Sequence, residues 1–185
     1  MREELVFGDG WVSAELPDDT QVLGSGVTLP LHPVADLDEA YRDAVVAPVD
    51  GPPLSELVRS GMRVTVAFDD PTVPCYAPAW RSGMAAILEA LDRGGVREKD
   101  VHLLCANALH RRFTHDELAG ILGEDVVGRF GDRLTCHDAE DPDGNVHLGE
   151  TEEGHPVEVN RMVTDSDVTV YLNCSTTRGF SGGWK

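Results

Sequence analysis

Four segments of this chain carry side chains able to do acid–base or anion chemistry, and each follows a short apolar run. Asp69-Asp70-Pro71-Thr72-Val73-Pro74 comes after Arg63–Phe68, and Asn107-Ala108-Leu109-His110-Arg111-Arg112 comes after Val101–Cys105. His137-Asp138-Ala139-Glu140-Asp141 follows Arg133–Cys136, and Asn173-Cys174-Ser175-Thr176-Thr177-Arg178 follows Asp167–Leu172. Imidazole at His110 could exchange a proton near neutral pH, with Arg111 holding an anionic group. A structural donor role for His110 is the competing expectation, and Asp69-Asp70-Pro71 suits a plain turn as well as a ligand contact. His137-Asp138 could be an oriented imidazole–carboxylate pair, although sequence neighbours in a strand-end loop usually point apart. The chain then closes on Gly179-Phe180-Ser181-Gly182-Gly183-Trp184-Lys185. Glycines this dense allow close backbone approach to a ligand, and the lysine offers a phosphate-seeking cation or an amine nucleophile. A chain that stops there is expected to be a fragment, cut where a binding loop leads onward. A Gly/Ser tail without function is the alternative.

The elements that must position these segments follow from hydrophobic periodicity. Arg63–Phe68, Val101–Cys105, Arg133–Cys136 and Asp167–Leu172 are rich in strand formers, and the longer ones suit a sheet covered on both faces. Pro78–Arg93 carries Met84, Ile87, Leu88 and Leu91 at helical spacing, with Gly94-Gly95 as its stop. Thr114-His115-Asp116-Glu117 has the form of a capping box opening a helix through Leu122, and Asp125–Phe130 follows as a second short helix. Alternating strands and helices predict an α/β fold: a Rossmann-like, doubly wound, mostly parallel sheet with helices on both faces. Two helices, Asp36–Val45 and Leu54–Ser60, precede it. Hairpins are expected at Leu5–Phe7 with Val12–Leu16, around Gly8-Asp9-Gly10, and at Val146–Leu148 with Pro156–Val159. In such a sheet, ligands bind beyond the carboxyl ends of the strands, so the four polar segments would converge on one crevice.

Composition narrows the function classes. The 185 residues are 41% hydrophobic, enough for one domain with a substantial core, and residues 1–185 are read as one domain. Acidic residues outnumber basic ones 33 to 15, a formal charge of -18, which argues against nucleic-acid binding and against docking on anionic membranes. Cys75, Cys105, Cys136 and Cys174 are widely spaced without a Cys-x-x-Cys pair, so free thiols in a reducing cytoplasm are expected. No charged-then-apolar leader and no long apolar run is present, which predicts a soluble, cytoplasmic protein. Dinucleotide fingerprints, phosphate loops, nucleophile elbows and His-Glu-x-x-His helices are all lacking.

Asp-Asp-Pro-Thr-x-Pro after the first run, Leu-His-Arg after the second, His-Asp after the third and Gly-Phe-Ser-Gly-Gly-x-Lys at the end occur in a telling order. Together they resemble the N-terminal domain of the nickel-pincer-nucleotide lactate racemase family, from about Arg63 to Lys185. That resemblance implies a chain about twice as long, with a second α/β domain, or a separate subunit, closing over the cofactor. The cofactor implied is a pyridinium mononucleotide whose two thiocarboxyl groups hold nickel. The resemblance implies attachment of the cofactor at Lys185, cofactor contacts from Asp70, Pro71, Thr72 and Val73, and acid–base work at His110. It further implies racemisation or epimerisation of a 2-hydroxyacid by hydride abstraction and return, with the cofactor supplying the hard step.

Three positions depart from the family pattern. Val73 stands where the family has a carboxylate-binding arginine, and Ser175 stands where it has a second catalytic histidine. The protein's own nickel ligand in the family lies beyond the lysine, so no metal-ligating residue is assigned in this chain. Arg111 or Arg178 is expected to replace the missing cation, and His137 is a candidate for the missing base. The departures keep two other readings open: a non-catalytic domain that binds a small anion or partner subunit, and a pincer-dependent enzyme of a different redox or dehydration reaction.

Overall fold

Each of the four apolar runs forms a strand, and the polar segments behind them all leave at the carboxyl ends. The computed structural model describes residues 1–7, 10–21, 32–73 and 77–174. Among them, β3 (Val64–Asp69), β4 (Val101–Ala106), β5 (Leu134–Cys136) and β8 (Val168–Leu172) build a wholly parallel sheet in the order β5-β4-β3-β8. Two antiparallel hairpins lie outside it: β1 (Arg2–Phe7) with β2 (Gly10–Glu15), and β6 (Asn145–Glu150) with β7 (Pro156–Asn160). The helices are α1 (Leu37–Val46), α2 (Leu54–Leu57), α3 (Ala77–Arg93), α4 (His115–Leu122), α5 (Glu124–Phe130) and α6 (Arg161–Thr164). The α/β architecture expected from the alternating pattern is the one observed. Residues 1–33 and 34–185 form two compact units.

Strand order follows from chain direction. The chain steps from β3 to β4 to β5, then returns to place β8 on the other side of β3. Right-handed crossovers in the first two steps put α3 and α4 on one face; reversal sends the last connection to the other. Contacts agree: α3 packs on the face of Val64, Val66, Phe68, Leu103 and Leu172, whereas Thr65 on the opposite face donates its hydroxyl to the Met162 carbonyl of α6 at 2.9 Å. The reversal puts a topological switch point between β3 and β8, where open α/β sheets bind ligands.

The core joins the first of these faces to Trp80, Met84, Ile87 and Leu91 of α3 and to Leu118 and Leu122 of α4. β3 is buried along its whole length, as a strand covered on both faces must be. The stop predicted at Gly94-Gly95 takes a defined form. Val96 N–H donates to Leu91 O, Gly95 N–H donates to Asp92 O, and Gly95 adopts φ +83°. Gly94 has a second reason to lack a side chain: a Cβ there would lie 2.9 Å from the Ser55 carbonyl oxygen of α2.

Most boundaries shift by a residue or a few, and two of the shifts and one added element have a clear physical reason. α2 ends at Leu57 instead of Ser60, because Val58 turns extended and buries its side chain in the core. β5 starts at Leu134, since Gly131–Arg133 forms a 3-10 turn. α6 was not anticipated; its four residues are too few to show helical periodicity, and Asn160 caps it through Met162 N–H.

Candidate active site

Asp70 does the turn chemistry expected of its loop and also reaches His110. One carboxylate oxygen accepts the Thr72 backbone N–H at 2.7 Å, closing an Asx turn, while the other accepts from His110 Nδ1 at 2.8 Å. The carboxylate side chain is 4% exposed and the imidazole 55%, so a buried acceptor holds a solvent-facing base. Burial alone would raise the Asp70 carboxyl, but hydrogen bonds from Thr72 and His110 outweigh it and hold it below the ordinary carboxylate value. A carboxylate only accepts, so Nδ1 carries a hydrogen, and in the neutral imidazole the lone pair is then on Nε2. No described residue occupies Nε2. This is the arrangement of an oriented general base.

The loop that carries His110 is tightly built. His110 N–H donates to Asn107 O at 2.8 Å, and Asn107 Nδ2 returns a bond to His110 O at 2.8 Å. Between them Ala108 takes φ +47°, a left-handed conformation uncommon for a residue with a side chain. Asn107 is fully buried, yet its Oδ1 has no hydrogen-bond partner among the described residues. A buried acceptor left open at a strand end marks a place where a donor on a ligand could sit.

Asp69, next to Asp70, reaches the other way. It accepts from the Tyr171 hydroxyl at 2.5 Å and from Cys174 N–H at 2.8 Å, tying the exit of β8 to the end of β3. Burial, and then this bond to Asp69, push the Tyr171 hydroxyl pKa up, so it remains a donor. Two adjacent carboxylates thus fasten both flanks of the switch point.

The comparisons with known proteins coincide with this geometry. A family model described as the lactate racemase N-terminal domain matches residues 7–185. The chain belongs to the lactate racemase N-terminal domain family. It is 24% identical over 188 residues to the lactate racemase of Lactiplantibacillus plantarum, covering 98% of this chain and 42% of that protein. The lactate racemase of Thermoanaerobacterium thermosaccharolyticum is also 24% identical, over 187 residues. The structure of the latter's apoprotein superposes with a TM-score of 0.68 at 20% identity, covering 92% of this chain and 38% of that one. A Thermotoga maritima protein follows at TM-score 0.51 and 20% identity, over 73% of this chain and 32% of its own. This chain therefore spans about two fifths of the length of the curated relatives it matches.

Among the positions that the family resemblance singles out, His110, Asp70 and Thr72 come together, with Thr72 Oγ1 at 3.5 Å from His110 Nδ1. Pro71 is half-buried beside them, and Val73 packs against the core, its N–H closing a turn onto Asp70 O. Arg111 is engaged elsewhere: it grips Glu117 of the α4 capping box with bonds of 2.5 and 2.9 Å and lies over the Phe113 ring. Arg178, Ser175 and Lys185 lie outside the described residues. His137 and Asp138 point to different partners, His137 to Asn160 at 3.0 Å and Asp138 to Arg112, so they are not an oriented pair. Asn107 and Tyr171 carry roles that the sequence did not flag; the only advance signal was their place at strand ends.

Proposed function

We propose that this chain is the cofactor-attachment half of a nickel-pincer-dependent 2-hydroxyacid racemase or epimerase, with His110 as an acid–base residue. The observation that carries the reading is the 2.8 Å Asp70–His110 bond at the switch-point rim, with Nε2 unpartnered among the described residues. Family membership and the relatives' shared name supply the reaction class.

The rim suits a nucleotide cofactor on one point of chemistry. Asn107 Oδ1 is a buried acceptor without a donor among the described residues, and ribose hydroxyls are donors. Asp70, Thr72 and Asn107 would hold the group, with Lys185 as its covalent anchor. When bound, the pincer supplies a hydride acceptor. His110 removes the substrate hydroxyl proton through Nε2 and later returns it, while Asp70 stabilises the imidazolium that forms between the two transfers. Val73 brings no charge for a substrate carboxylate, so that role falls to Arg178, or to Arg111 once it exchanges away from Glu117. A second domain, in the same polypeptide or as a partner subunit, completes the crevice; the greater length of the relatives supports this.

Production together with the cofactor-making machinery tests the proposal. The protein should gain the mass of the pincer nucleotide, and Lys185→Ala should lose it. An adduct that survives this substitution, or maps to another residue, contradicts the assignment.

A further inference from the structure

The mechanism above leaves one cluster of nucleophilic groups unused: the thiols of Cys105 and Cys136. The two residues are register partners on neighbouring parallel strands, β4 and β5, so their side chains leave the same face of the sheet side by side. Neighbouring strands lie about 4.8 Å apart, inside the roughly 4.4–6.8 Å Cα separation that a disulfide spans. Both are free thiols. Cys105 is fully buried, whereas Cys136 is half-buried at the end of the edge strand. β5 is three residues long and forms one edge of the sheet, so it can shift toward β4 without breaking a ladder on its far side.

We propose that Cys136 is a peroxide-reactive thiol and that Cys105 is its resolving partner, making a reversible oxidation site on the β4–β5 edge of the sheet. Cys136 Sγ meets both backbone groups of Phe113, its thiol facing the carbonyl at 3.6 Å. Phe113 N–H donates to it at 3.3 Å, and the Arg112 and His115 side chains lie near enough to favour its negative charge. The Cys105 thiol, then the Phe113 N–H and Arg112, lower the Cys136 pKa against the opposing effect of burial. Cys105 moves the other way, raised by the adjacent Cys136 sulfur, by burial, and by Asp70 and Asp69. The half-buried thiol of Cys136 is placed to react first, and the fully buried Cys105 lies behind it.

The chemistry balances in two steps. Cys136 thiolate attacks one oxygen of hydrogen peroxide; an S–O bond forms, the O–O bond breaks, and hydroxide leaves, giving the sulfenic acid. Cys105 then attacks that sulfur, its proton going to the departing hydroxyl. A disulfide forms and water leaves, so two electrons pass from the thiols to the peroxide. Cys136 immediately precedes His137, and His137 N–H donates to Cys105 O at 3.0 Å, so the bridge would clamp the β4–β5 edge one residue below its exit loop.

The test needs no cofactor. The reduced 185-residue chain is treated with graded hydrogen peroxide, alkylated, and mapped by mass spectrometry without reduction. The expected product is a Cys105–Cys136 linked peptide pair, two hydrogens lighter than the free peptides, reversed by dithiothreitol. In Cys105→Ala, a sulfenic-acid trap should label Cys136 ahead of Cys75 and Cys174. Because Cys105 is buried and its variant could unfold, Cys136→Ser provides a second reading: Cys105 should then stay reduced at peroxide levels that bridge the wild type. Cys136 recovered as a free thiol after Cys75 or Cys174 is oxidised overturns the proposal, as does a disulfide that pairs either residue with another cysteine.

Discussion

At the residue scale, Asp70 sets what His110 can do. In Asp70→Asn the amide can donate to Nδ1, which favours the tautomer whose Nε2 carries hydrogen, the wrong one for a base. A kcat loss on the order of a hundredfold is expected for the cofactor-loaded protein, with substrate KM little changed. The same bond shows in stability. A depressed carboxyl stabilises the fold fully above its unfolded value, near 3.8, and that contribution disappears as pH falls through the lower folded value. Thermal midpoints of wild type and Asp70→Asn should therefore converge between about pH 5 and about pH 2; a gap that stays constant or widens in acid contradicts the assignment. Ala108 makes the opposite prediction. Its φ of +47° carries a Cβ penalty of about 1 kcal/mol that glycine does not have, so Ala108→Gly should raise the denaturant midpoint. None of this pairing was legible in advance. Asp70 and His110 are 40 positions apart, and a turn motif and a lone histidine look the same in sequence whether or not they meet.

At the element scale, local chemistry was legible wherever it was strictly local. The capping box at Thr114–Glu117 forms with both reciprocal bonds, and the glycine stop of α3 forms with both of its carbonyl bonds. The tertiary reason for Gly94 was not legible, because it depends on where α2 packs. Gly94→Ala should cost about 1–3 kcal/mol, since its Cβ meets the Ser55 carbonyl, a backbone atom that cannot swing aside; a stability unchanged within error would show that α2 is loosely held. Glu117 serves α4 and Arg111 together. Arg111, and after it the Thr114 backbone, lower the Glu117 carboxyl to about 2. Its contribution is therefore complete above pH 4.5 and fades toward pH 2. Glu117→Gln should lower the melting temperature at pH 7 and make little difference near pH 2, by calorimetry. The same variant frees Arg111, so a gain in affinity for 2-hydroxyacid carboxylates would mark that arginine as the replacement for the cation missing at Val73.

At the scale of the whole molecule, the alternation of strands and helices made the parallel sheet legible. Strand order stayed hidden, since period-2 patterns say which residues are buried and nothing about which strand lies beside which. Once the order β5-β4-β3-β8 is known, the switch point falls between β3 and β8, where Asp69 joins them. One flank of the switch point carries the Asp70–His110 pair, and the other is the end of β8. The chain spans about two fifths of its relatives' length; under the proposed function it carries the base and the anchor, and a second domain or subunit supplies the opposing wall. The most direct measurement is chiral chromatography of single-enantiomer 2-hydroxyacids, lactate first, incubated with the cofactor-loaded protein joined to its second domain or partner subunit and with the His110→Ala variant of that assembly; the 185-residue chain alone is expected to be inactive. The wild type should interconvert the enantiomers, and the variant should retain the Lys185 adduct yet turn over at least about a hundredfold more slowly. A variant as fast as the wild type, or an adduct-bearing wild type that leaves every enantiomer untouched, would contradict the account.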